Sequence, residues 1–213
     1  MRRYPTDDYT KQMIWLKADC GGCNGCSRCC HGMGNSIILD PYDVYRMTTG
    51  MGKSMQELLA ASVELNVVDG VILPNLKMQG TKEACAYLDE EGRCSIHPYR
   101  PGICRLFPLG RYYENGGFSY FLQTGECAKE NRSKIKVSKW IDTPDLTRNQ
   151  QFTLQWHDLL HAMEERLTGE DEGKQQEENL LLLRLFYLLP YKGTTDFYSQ
   201  FMERMEYWNE QIR

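Results

Sequence analysis

Three features of the 213-residue sequence predict a mainly α-helical protein, with helices around a cysteine-rich, loop-dominated metal centre and one small β-hairpin. Five of the nine cysteines crowd into ADCGGCNGCSRCCHG, residues 18–32, where glycines favour a loop. RYYENGGFSYFLQ sets aromatic arms about a turn, and from residue 144 apolar residues recur with a helical period. No cysteine lies beyond Cys127. The chain therefore divides into a cysteine-cluster metal-binding domain over 1–140 and C-terminal helices over 141–213, packed on it as one structural unit.

The elements follow in order. In ILDPYDVYRMTTG, Asp40 caps a short helix, Pro41 suits its first position and Gly50 its exit. Ser54 and Glu57 form a capping box that opens a second helix carrying Met55, Leu58, Leu59 and Leu65. VDGVILPNL reads as extended, with Pro74 ending or edging a strand. Asn115-Gly116-Gly117 tolerates the positive φ of a hairpin turn. Phe152, Trp156, Leu159, Leu160, Met163 and Leu167 form an apolar stripe that Gly169 ends. GEDEGKQQEEN reads as a solvated loop, and residues 178–189 as a buried helix. Thr194 caps a last helix with the stripe Phe197, Phe201, Met205 and Trp208.

Hydrophobic residues are 41% and charged residues 25% of the chain, which excludes wholesale disorder. A net charge of −4 argues against nucleic acid or an anionic membrane as partner, leaving a protein or small-molecule substrate. Met1-Arg2-Arg3 is followed by no apolar h-region, and the longest apolar run, 180–189, is too short for a bilayer and contains Arg184. The expectation is a cytoplasmic protein. Thiols stay reduced there, so nine cysteines, an odd number, point to metal binding or redox chemistry over disulfides.

Cys20, Cys23, Cys26 and Cys29 recur every third residue. A two-residue spacer bends two thiolates onto one ion or one cluster face, and glycine amides can point inward at negative sulfur. Neighbouring side chains in an extended or irregular segment diverge, so Cys29 and Cys30 are expected to serve two sites, or two irons of one cluster. Cys85, Cys94 and Cys104 lie in turns punctuated by Gly and Pro, and Cys127 follows the hairpin. Zinc and a [4Fe–4S] cluster take the same thiolates. Cys20, Cys23, Cys26 and Cys30 match a bacterial ferredoxin spacing, except that His31 stands in place of its proline. Arg100 and Arg105 bracket Cys104 and are candidate cofactor-binding groups, since guanidiniums would offset thiolate charge. His97 and His31 read as ordinary turn histidines, His157 and His161 as a solvated helix face, and the aromatics Tyr112, Tyr113, Phe118, Tyr120 and Phe121 as packing across the hairpin.

Cys23-x-x-Cys26-x-x-Cys29-Cys30, then LDPYDVYRM, then CAYLDEEGRCSIHPYRPGICRLFP, resembles the YkgJ-type cysteine-cluster family over about residues 20–130. Similar proteins are described as zinc- or iron-chelating and often labelled iron–sulfur oxidoreductases. The flagellin lysine N-methylases are a distant branch. The resemblance implies metal ligation by Cys23, Cys26, Cys29, Cys30, Cys85, Cys94, Cys104 and Cys127, eight thiols and so enough for two tetrathiolate sites, with Cys20 outside the motif. It implies an iron–sulfur cluster with redox or methyl-transfer chemistry, the latter using S-adenosylmethionine. The alternatives are a zinc-binding structural or interaction module without catalysis, and a metal carrier.

Overall fold

The computed structural model describes residues 15–19, 26–127 and 132–212. Strand β1 (Trp15–Asp19) precedes a 3-10 turn at Arg28–Cys30, then helices α1 (Pro41–Met51) and α2 (Met55–Ala61). Strands β2 (Val63–Val68), β3 (Val71–Leu76), β4 (Met78–Gln79) and β5 (Ala84–Cys85) follow. A second 3-10 turn, His97–Tyr99, leads to α3 (Gly102–Leu106), strands β6 (Leu109–Glu114), β7 (Gly117–Leu122) and β8 (Ser133–Lys136), and α4 (Val137–Ile141). The C-terminal part comprises α5 (Leu146–Leu167), α6 (Glu172–Leu182), a π-helical turn at Leu183–Leu188, and α7 (Phe197–Gln211).

Helix outweighs strand, but the strand content exceeds the one expected hairpin. Four two-stranded antiparallel sheets pair β1 with β8, β2 with β3, β4 with β5 and β6 with β7. Leu65, expected on the second helix, lies in β2, because the helix ends at Ala61 and the β-branched run from Val63 takes over. Pro74 sits inside β3 opposite Leu65, and its carbonyl accepts from the Leu39 N–H. The predicted hairpin forms with a two-residue turn, Asn115 and Gly116 both at positive φ.

The helix starts obey local chemistry. Asp40 and Asp43 form a reciprocal capping box on α1, and Ser54 and Glu57 do the same on α2. Helix α1 runs one residue past Gly50 and ends at the left-handed Gly52. Gly50 has a packing role instead, because a Cβ there would collide with the Tyr99 ring. The acidic stretch expected as a loop is largely helical: Asp171 caps α6 through Gly173 N and Lys174 N, and Lys174 pairs with Glu170. Asp196, not Thr194, caps α7 by accepting from Ser199 N.

The main core unites α1, α2, β2, β3, α5, the π turn and α7. Its centre is aromatic: Phe152 meets Phe201 edge-on at 4.8 Å, and Trp156 meets Phe186 at 5.1 Å. Such pairs add roughly 0.5–1.5 kcal/mol each beyond their buried area. A smaller core gathers Leu16, Leu106, Leu109, Val137 and Ile141. Trp140 closes it by donating Nε1–H to the Phe107 carbonyl at 3.1 Å. Among the described residues no helix is long and apolar enough to cross a membrane.

Candidate metal centre

A cavity of about 580 Å³ opens where the two cores meet: Ile37, Leu76 and Ile96 of the larger and Leu109 of the smaller all line it. Five thiols share its wall, those of Cys29, Cys30, Cys85, Cys94 and Cys104. They come from three places. The Arg28–Cys30 turn carries the doublet, the β4–β5 pair and the bridge of Leu88 to Cys94 hold the next two, and α3 holds Cys104. Cys26 and Cys127 are half-buried but lie outside this wall, and Cys20 and Cys23 fall outside the described residues. Every described cysteine is a free thiol.

The doublet does not diverge. In a 3-10 turn, held by Cys30 N donating to the Ser27 carbonyl at 2.8 Å, both side chains enter one cavity. The Cys30 thiol donates to Cys29, and that hydrogen bond, helped by the positive charges of Arg100 and His31, outweighs burial and lowers the Cys29 pKa to about 6. The same hydrogen bond, then burial, then the neighbouring thiols raise Cys30 far above the usual range. Burial raises Cys104 strongly and Cys85 and Cys94 less, and each of these three also feels the charge of Cys29. These mutual influences identify one electrostatic neighbourhood. Even so, among the described residues no three His, Cys, Asp or Glu side chains converge tightly enough to hold one ion. The thiols surround the cavity without meeting at a point.

The two arginines take different places. Arg100 lines the cavity and favours the charged forms of Cys29 and Cys94. Arg105, the neighbour of Cys104, is 4% exposed and turns toward α1, donating Nη1 to the Arg100 carbonyl at 2.6 Å. There it faces Asp43, 2% exposed, which accepts from Gly102 N at 2.6 Å and Asp40 N at 3.2 Å. Burial raises the Asp43 pKa, and Arg105 is the strongest opposing influence. This carboxylate anchors the first turn of the helix that presents Cys104. Sequence reasoning passed over it, although its place three residues after Asp40 in LDPYD marked it as half of a capping box.

His31 borders the cavity, with Nδ1 engaged by the Ser27 carbonyl at 2.9 Å. His97 lies outside it, in the exposed turn before Arg100. His157 stacks on Tyr113 of β6 with centroids 3.7 Å apart, and His161 faces Glu165 at 3.5 Å. Tyr113, Phe118 and Tyr120 pack along the hairpin. The donor set of the cavity fits a thiophilic metal group: several unoxidised thiols, one already acidic, with a guanidinium to offset their charge.

A family model described as "CxxCxxCC: Putative zinc- or iron-chelating domain" matches residues 22–134, a span that contains every cysteine of the chain except Cys20. No curated protein and no solved structure matches the chain.

Proposed function

Because the chain belongs to the CxxCxxCC family of zinc- or iron-chelating domains, we propose that its thiols hold an iron–sulfur cluster and that the protein works in electron transfer. The observation that carries this reading is the disposition of the five thiols about one cavity of about 580 Å³. A single zinc with sulfur at ~2.3 Å needs thiolates about 3.8 Å apart. A many-atom cluster accepts thiolates spread around a wider space. Methyl transfer from S-adenosylmethionine has less support, since the sequence contains no G-x-G-x-x-G cradle.

Bound there, an iron–sulfur cluster would supply one-electron transfer at a potential set by burial and by hydrogen bonds to its sulfurs. Four of the five thiols of Cys29, Cys30, Cys85, Cys94 and Cys104 would hold it, one for each iron of a four-iron cluster. The hydrogen bond from Cys30 favours the thiolate of Cys29, whereas Cys30, Cys85, Cys94 and Cys104 favour the thiol, so each of these four that ligates releases a proton. Arg100 compensates the resulting negative charge. The apolar wall of Ile37, Leu76 and Leu109 limits water around it.

Anaerobic purification with iron, sulfide and zinc analysis tests the reading. A brown protein with stoichiometric sulfide and a visible band bleached by dithionite is expected, and Cys29→Ser, Cys30→Ser and Cys104→Ser should each remove at least half of the iron. A colourless protein carrying zinc alone would replace this reading with a zinc-stabilised structural module.

A further inference from the structure

The cavity exceeds what the thiols alone could fill. At roughly 30 Å³ per atom-sized occupant, the share of one water in the liquid, four irons and four sulfides would take about 240 Å³. More than half of the 580 Å³ is then left over. The remaining space falls in the range of small-molecule sites, about 300–1,000 Å³. Its wall is amphipathic, with Met33, Ile103 and Phe107 presenting apolar surface and Arg28 and Arg100 bringing positive charge.

Neither guanidinium is paired with a carboxylate among the described residues, whose ion pairs engage Arg93, Arg148, Arg166, Lys174 and His161 instead. The Arg100 backbone is held by Arg105 through its carbonyl, so its side chain projects from a fixed point beside the thiols. One guanidinium can offset thiolate charge, and a second at the same wall leaves cationic capacity unused. Glu126 also borders the cavity and disfavours a carboxylate placed beside it.

We infer that this space binds a small organic acid, a carboxylate on an apolar body, with Arg100 and Arg28 receiving the carboxylate and the Phe107 side of the wall receiving the body. Guanidinium is suited to the task because its planar fork meets a carboxylate through two parallel hydrogen bonds. The inference rests on the metal reading above for the acid's place beside the metal group. The acid itself is selected by charge and apolar surface that the chain supplies without the metal.

Calorimetric titration of the full-length, anaerobically purified protein with hexanoate tests this, with hexanamide as the uncharged control and hexylamine as the reversed charge. Hexanoate should bind at least tenfold more tightly than either control. Arg28→Gln should weaken hexanoate binding at least tenfold and Arg100→Gln by a smaller factor, with Arg28→Lys keeping part of the affinity. Equal binding of hexanoate and hexanamide, or tighter binding of hexylamine, overturns the proposal. Unchanged hexanoate affinity in Arg28→Gln overturns it as well. Metal analysis of the same samples reports separately on the metal reading.

Discussion

Removing the Asp43 carboxylate tests whether α1 holds the thiol-bearing helix in place. In Asp43→Ala, Gly102 N and Asp40 N lose the acceptors they reach at 2.6 and 3.2 Å, and Arg105, 4% exposed, loses a neighbouring negative charge. Each buried donor left unsatisfied costs about 1–3 kcal/mol, so the two together cost about 2–6 kcal/mol. For a chain of this length each kcal/mol moves Tm by roughly 2–4 °C, so the variant should melt about 4–24 °C lower. Asp43→Asn keeps the shape but turns an amide N–H toward a donor, and should lose about half as much. Gly102→Ala is the control. Its Cβ would lie 3.5 Å from Asp43 Oδ1 and 3.7 Å from Arg105 Nη2, ordinary contacts, so its Tm should barely change. Calorimetric unfolding supplies the melting temperatures, and the rate of Cys104 labelling by a thiol reagent supplies the local readout, which should rise in Asp43→Ala. A melting shift under about 2 °C, or unchanged labelling, would refute the idea that this carboxylate anchors the turn before Cys104.

Two further predictions concern α1. Burial, reinforced by the charge of Asp43, pushes the Asp40 carboxyl up to about 7, whereas the unfolded chain titrates near 3.8. The folded state thus holds this proton more tightly, and the stability it contributes is fully present below pH 3.8 and is lost as pH rises through 7. Asp40→Asn, which can still cap the helix, should flatten the fall in stability between those values, and parallel denaturation profiles from pH 4 to 8 would contradict this. Gly50→Ala should cost about 1–3 kcal/mol through collision with the Tyr99 ring, despite the better helix propensity of alanine. In a Tyr99→Ala background the same change should become neutral or stabilising, and a cost that persists there would place its cause elsewhere.

The sequence was most informative where chemistry is local. Asp40, Ser54 and the Asn115-Gly116 turn each satisfy their own backbone within four residues, and each was legible. The stripes of α5 and α7 were legible too, because period 3.6 survives any tertiary arrangement. Leu65 was misplaced because a capping box signals where a helix starts and says nothing about where it stops. Residues 172–178 were misread because their stabilising partners are ion pairs: one spans Glu170 to Lys174, and the other, Glu178 with Arg166, reaches a different helix. At the site, the cysteines announced themselves by spacing. That Cys29 and Cys30 share one cavity depends on a 3-10 turn in a segment whose glycines permit many conformations. Arg105 was read as a cofactor partner alongside Arg100. Adjacent residues on a helix point about 100° apart, however, so a helix that turns Cys104 to the cavity turns Arg105 toward α1.

The ladder between β1 and β8 joins the two ends of the family segment, with Leu16 opposite Ile135 and Lys17 opposite Lys134. All nine cysteines therefore lie in a segment buckled at its own ends, since residues 19 and 133 are paired neighbours. The buckle closes this segment without making it self-contained, because α1, α2, β2 and β3 share the main core with α5, the π turn and α7. It also explains why shortening the chain from the front would be costly. Trimming through Leu16 would unfasten the buckle and take a buried member from the smaller core, whose Leu109 lines the thiol chamber.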